Sequence, residues 1–127
     1  MLDIQKFIYE YLVDFVDTIT KVNNVYLMGQ AKELPNITYT VNNTSILSKR
    51  FNKGYVYSSI IEISFNMPVY SDMIETMMDL RELIEQDSDK RFESNGVILN
   101  DITITNNIII RGNQQLPIKQ LQLQVIY

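Results

Sequence analysis

Three carboxylates, Glu75, Asp79 and Glu82, recur at four- and three-residue steps and so stack on one face of any helix that holds them. Such a set can do general acid–base work or hold a hard cation. Both need a pocket, and acid–base work also needs a raised pKa. Here the carboxylates lie opposite the stripe Met73, Ile74, Met77, Met78, Leu80 and Ile84, with Arg81 and Glu85 beside them, which is the pattern of a solvated helix face. A second candidate is the basic cluster Lys49, Arg50 and Lys53 with Phe51 between. It can grip phosphate or an acidic partner by charge and stacking, or it can be an ordinary loop kept soluble by its lysines. As a DNA reader it is weak, because so few charges displace few counterions. A third is Gln120, Gln122 and Gln124, which alternate with Leu121, Leu123 and Val125 and give one strand a polar, uncharged face.

Composition narrows the chemistry further. The chain of 127 residues contains no cysteine and no histidine. That removes disulfides, thiolate and imidazole metal sites, and the usual nucleophile–base pairs, so no catalytic residue, cofactor or metal is expected. Four scattered glycines make no phosphate-cradling loop. The net charge of −4 weighs against a general nucleic-acid binder. No stretch is long and apolar enough for a membrane span, and Met1-Leu2-Asp3-Ile4 begins no signal peptide, so a cytoplasmic chain that starts here is expected.

The elements that must position these residues follow from periodicity. Residues Asp3 to Lys21 predict a helix, since Ile4, Phe7, Ile8, Tyr11, Leu12, Phe15, Val16 and Ile19 repeat at helical steps, with Asp3 as cap. Val25 to Met28 predicts a short strand, and Ile37 to Val41 a second. Asn42 to Lys53 loses regular alternation and reads as a long flexible hairpin loop. From Gly54 the alternation is long: Tyr55, Tyr57, Ser59, Ile61, Ile63 and Phe65 share one face. Met67-Pro68 ends that strand, and Ser71 is the expected cap of a helix running to Gln86. Gln86 to Gly96 reads as a polar connector. Ile102, Ile104, Ile108 and Ile110 predict a strand, Arg111 to Pro117 a loop, and Lys119 to Tyr127 the last strand. One domain, 1–127, is expected: an α+β two-layer sandwich, its antiparallel sheet of about four to five strands covered on one face by two helices.

The opening helix, the Leu34-Pro35-Asn36-Ile37-Thr38-Tyr39 lead-in to a strand, the Gly54-to-Phe65 strand running into the Ser71-to-Gln86 helix, and the closing Leu121-Gln122-Leu123-Gln124-Val125-Ile126-Tyr127 together resemble the bacteriophage tail-terminator family. These are the tail-completion or head–tail joining proteins of long-tailed phages. The resemblance covers nearly the whole chain as a pattern of elements and sizes, with no catalytic motif. It implies a structural subunit of a six-membered ring at the head-proximal end of the tail tube in the virion. That ring stops tube growth and meets the head connector while DNA passes through its hole. The implied partners are copies of the chain itself, the tube protein and the connector. A head-to-tail ring needs two unlike, complementary patches; the Gln120, Gln122, Gln124 face and the Lys49, Arg50, Phe51, Lys53 loop are the candidates. The low basic content departs from a strongly positive lumen. Another head-completion or baseplate adaptor role, or a small ligand-binding domain, stays open.

Overall fold

The computed structural model describes residues 3–19, 21–30, 33–50 and 54–127, of which 49–50, 107–111 and 114–118 by backbone alone. Helix α1 spans Ile4–Val16 and starts where expected, with the Asp3 carboxylate accepting the Lys6 N–H at 3.1 Å. It ends earlier than its apolar spacing suggests. The Thr18 hydroxyl donates to the Phe15 carbonyl at 2.6 Å, and this local bond competes with another helical turn. Strand β1 (Val25–Leu27) then runs parallel to β2 (Asn36–Arg50), which forms a hairpin with β3 (Gly54–Asn66). Helix α2 (Tyr70–Asp87) follows, then a π-helical turn (Ser88–Phe92), β4 (Ile98–Arg111) and β5 (Gln114–Ile126).

The five strands form one sheet in the order β1-β2-β3-β5-β4, antiparallel at every pairing except β1 with β2. This is the expected α+β class. The pairing Ile37↔Phe65, Tyr39↔Ile63, Ile63↔Leu121 and Leu121↔Ile104 sets the apolar residues of neighbouring strands side by side on one face. That face and the buried stripes of α1 and α2 belong to one continuous core. Phe65, Leu80, Ile84, Phe92, Leu121 and Leu123 are fully buried within it, each worth roughly 1.5–3 kcal/mol in area removed from water.

Several sequence expectations are corrected. The Asn42-to-Lys53 loop is strand as far as Arg50: Val41↔Ile61 continues through irregular register to Arg50↔Gly54. Alternation was lost there because two register shifts, after Asn42 and after Ile46, break the period of two. The Arg111-to-Pro117 loop is likewise strand on both sides of a turn at Gly112, where φ is +60°. Ser71 does not cap α2; the cap position is Val69, without a side-chain bond. Of the predicted α2 stripe, Met78 is exposed.

The polar connector after Gln86 also hides a core residue. In an unbroken α-helix Phe92 would fall roughly 80° around the axis from Ile84. The wider π turn lessens that rotation and brings Phe92 inward. There its ring meets Phe7 and Tyr11 edge-on, with centroids at 5.1 and 4.9 Å. Tyr11 in turn donates its hydroxyl to Asp87 at 2.9 Å, and the Arg91 guanidinium sits 5.0 Å over its ring while binding Asp14 at 2.6 Å. Burial, then the Asp87 bond, hold the Tyr11 phenol well above the ordinary tyrosine range, with Arg91 opposing weakly.

On the outer strand β4 the register slips between Leu99 and Asp101, and the Asp101 carboxylate accepts the main-chain N–H of Ile102 at 2.9 Å. No helix among the described residues is long and apolar enough to cross a membrane.

Candidate functional site

The pairing registers show where the sheet stops being a sheet. Strand β5 accompanies β3 from Ser58 to Ser64, with one further pair of main-chain bonds between Tyr57 and Tyr127. Strand β1 accompanies β2 only from Ile37 to Tyr39. The N-terminal stretch of β3 and its partner in β2 therefore continue beyond β5 as a two-stranded arm, about 10 Å long from Tyr57 to Gly54. At the other end β5 runs on toward Gln114 with β4 alone after its last pairing with β3 at Ser64, so a second arm extends about 20 Å beyond that pairing and about 13 Å past the end of β3 at Asn66. The two arms leave opposite ends of one sheet.

The first arm carries apolar side chains into solvent: Ile46, Leu47 and Tyr55 are 59, 55 and 47% exposed. On its core-side face a row of tyrosines runs out from the core. Tyr127 stacks on Tyr57 at 5.7 Å, and Tyr57 lies 6.3 Å from Tyr55. At the root of the arm, Ser59 is fully buried and shares its hydroxyl with Thr44 at 2.9 Å and Tyr127 at 2.7 Å. Val41, Thr44, Tyr57 and Tyr127 form one wall of a notch of about 530 Å3, and Asp3, Ile4 and Gln5 at the N-terminus of α1 form the other. A second groove of about 870 Å3 lies between α1 and β1 and is bounded by Tyr9, Tyr26 and Tyr39. Burial first, and the neighbouring Tyr9 second, push the Tyr39 phenol up.

Of the basic candidates, Lys49 and Arg50 stand on the last residues of β2, opposite Tyr55 and Gly54 on the first arm. Phe51 and Lys53 lie outside the described residues. The three glutamines behave differently from one another. Gln120 is buried and donates to Ser64 Oγ at 2.7 Å, so it is held inside the sheet. Gln122 is half-buried opposite Glu62, and only Gln124 is exposed, where its carbonyl accepts from Asn100 at 3.3 Å. The same face carries Asn66 donating to Asn36 at 2.8 Å. Among the described residues no buried side-chain polar atom lacks a partner.

The helix carboxylates do not converge. Glu75 pairs with Lys21, which also reaches Asp72 at 3.3 Å, and Glu82 accepts a long 3.5 Å bond from Gln86. Around Met78, Asp79, Arg81, Glu82 and Glu85 there is only a shallow groove of about 240 Å3. Among the described residues no three acidic side chains are grouped to hold a metal. Sequence reasoning missed the notch and the tyrosine row. The available signal was Tyr55, Tyr57 and Tyr127, aromatic residues placed where an alternating strand outruns its core.

No protein-family model matches the chain, and no curated protein matches it.

Proposed function

We propose that the chain is a structural subunit that assembles head-to-tail with copies of itself and catalyses no reaction. The observation that carries this reading is the pair of unlike arms at opposite ends of the sheet. A two-stranded ribbon alone is marginal in water, and one with exposed Ile46, Leu47 and Tyr55 gains by being covered. Two different surfaces at opposite ends are what a heterologous contact requires, and such contacts close into rings or run on as filaments.

Within that class we propose the role implied by the family resemblance: a six-membered ring in the virion that caps the head-proximal end of a phage tail tube, stops its growth and meets the head connector. The Lys49, Arg50, Phe51, Lys53 segment and the exposed part of the glutamine face, Gln124 with Gln122, are its proposed contact points. Electron microscopy of tails assembled with and without the protein tests the role. Overlong tubes in its absence are the expected result; tubes of normal length overturn termination.

A second reading has one observation in its favour. The notch beside Tyr57 and Tyr127 falls in the size range of small-molecule sites and has an apolar wall with a few polar groups. Stabilisation by a compound class in a melting screen, lost when Tyr57 is changed to Ala, would favour a ligand-binding domain.

A further inference from the structure

The second arm differs from the first in chemistry as well as position. Its register pairs Ile108 with Pro117, Ile109 with Leu116 and Ile110 with Gln115, and Ile118 stands opposite Asn107. Alternation places Ile108, Ile110 and Pro117 on the continuation of the core face, and Ile109, Leu116 and Ile118 on the other. Each face of this ribbon is therefore apolar in sequence at three of its four positions, with Gln115 on the first and Asn107 on the second, although β3 and its core-side residues end at Asn66. The positions from 107 to 110 and from 115 to 118 hold no charged residue, and Arg111 stands beside the turn.

We propose that the tip of the β4–β5 arm of one copy seats in the notch between α1 and the β2–β3 arm of the next. This rests on the self-assembly reading above and names its contact. The notch offers Ile4, Val41, Tyr57 and Tyr127 to the isoleucines, and Asp3 at its rim has the charge opposite to Arg111. The arm cannot fill the notch of its own molecule. The notch lies at the Tyr57 end of β3, the arm leaves beyond Asn66, and the strand between is about 30 Å long. The occupant is a second copy, and because donor and acceptor surfaces differ, the contact repeats in one direction.

The absence of native cysteine makes a direct test available. Two single variants, Gln5→Cys at the exposed rim of the notch and Ile110→Cys next to the arm turn, are mixed under mild oxidation. A mixed disulfide dimer is expected to form about tenfold faster than either variant dimerises alone, or than Gln5→Cys links to Thr103→Cys on the exposed outer face. Equal rates, or like-with-like dimers, overturn the contact. Sedimentation of Ile110→Asp supplies a second measurement. Association about tenfold weaker than wild type with an unchanged melting temperature is expected. Wild-type-like association by Ile110→Asp overturns the arm-in-notch contact and leaves the ring reading standing. A wild-type chain that stays monomeric at high concentration and with tube ends present overturns both.

Discussion

Replacing Tyr11 by Phe removes one hydroxyl and little else. The ring stays in contact with Phe7 and Phe92, and the Arg91 guanidinium keeps an aromatic face beneath it. What is lost is the 2.9 Å bond to Asp87 from a side chain only 2% exposed. Hydrogen bonds to charged acceptors contribute about 1.5–3 kcal/mol and neutral ones about 0.5–1.5, and Asp87 is half-exposed and can regain water, so a value between the two classes applies, about 1–2 kcal/mol. For a chain of 127 residues the unfolding entropy near the midpoint is about 0.27 kcal/mol/K, which converts this to a fall of about 4–7 °C in Tm. The same substitution carries a pH signature. Tyr11 holds its proton more tightly folded than unfolded, so its contribution is fully present below the ordinary tyrosine pKa of about 10 and is lost as pH rises beyond it. The limiting slope is about 1.4 kcal/mol per pH unit. Urea unfolding followed by circular dichroism from pH 7 to 11.5 should show the wild-type and Tyr11→Phe stabilities converging above pH 10. Parallel curves across that range, or equal stability at neutral pH, refute the role given to this hydroxyl.

Three further outcomes are expected. Asp3→Ala should cost about 1 kcal/mol through loss of the α1 cap, whereas Ser71→Ala should change stability by less than about 0.5 kcal/mol, since α2 is not capped by that serine; chemical denaturation of the two variants checks the contrast. Phe92→Ala should destabilise by about 3–5 kcal/mol, because its ring is fully buried between Phe7 and Tyr11, and calorimetry would expose a smaller loss if the π turn relaxed to expel it. Ile46→Ser and Leu47→Ser on the exposed arm should change unfolding stability by less than about 0.5 kcal/mol while reducing self-association in sedimentation.

The chain's pattern was legible wherever one face of an element meets the core. Ile61, Ile63 and Phe65 alternate cleanly because β3 is flanked by β2 and β5 and covered on one side. Residues such as Ser48 gave no such signal, because the shifts near Asn42 and Ile46 reset the alternation of β2. Phe92 was hidden for a different reason. A π turn changes the angular step between residues, so a stripe read at 3.6 residues per turn misses the side chain it delivers. The glutamines looked alike in sequence, yet neighbouring Ser64 and Asn100 give Gln120 and Gln124 different fates.

The irregularity on β4 bears on how molecules of this kind add to one another. A flat outer strand invites sideways growth, strand upon strand, toward a fibril. Here the extra residue at Asn100 twists the margin, and the Asp101 carboxylate occupies a main-chain donor. Lateral accretion along that margin is discouraged, whereas contacts made along the strand axis join two ends that are unlike. Units joined that way all point the same way, as arrows laid nose to tail. A closed circle of them has no two-fold axis across its plane, so its two rims expose different chemistry, and a single polypeptide can face one kind of neighbour above and another below.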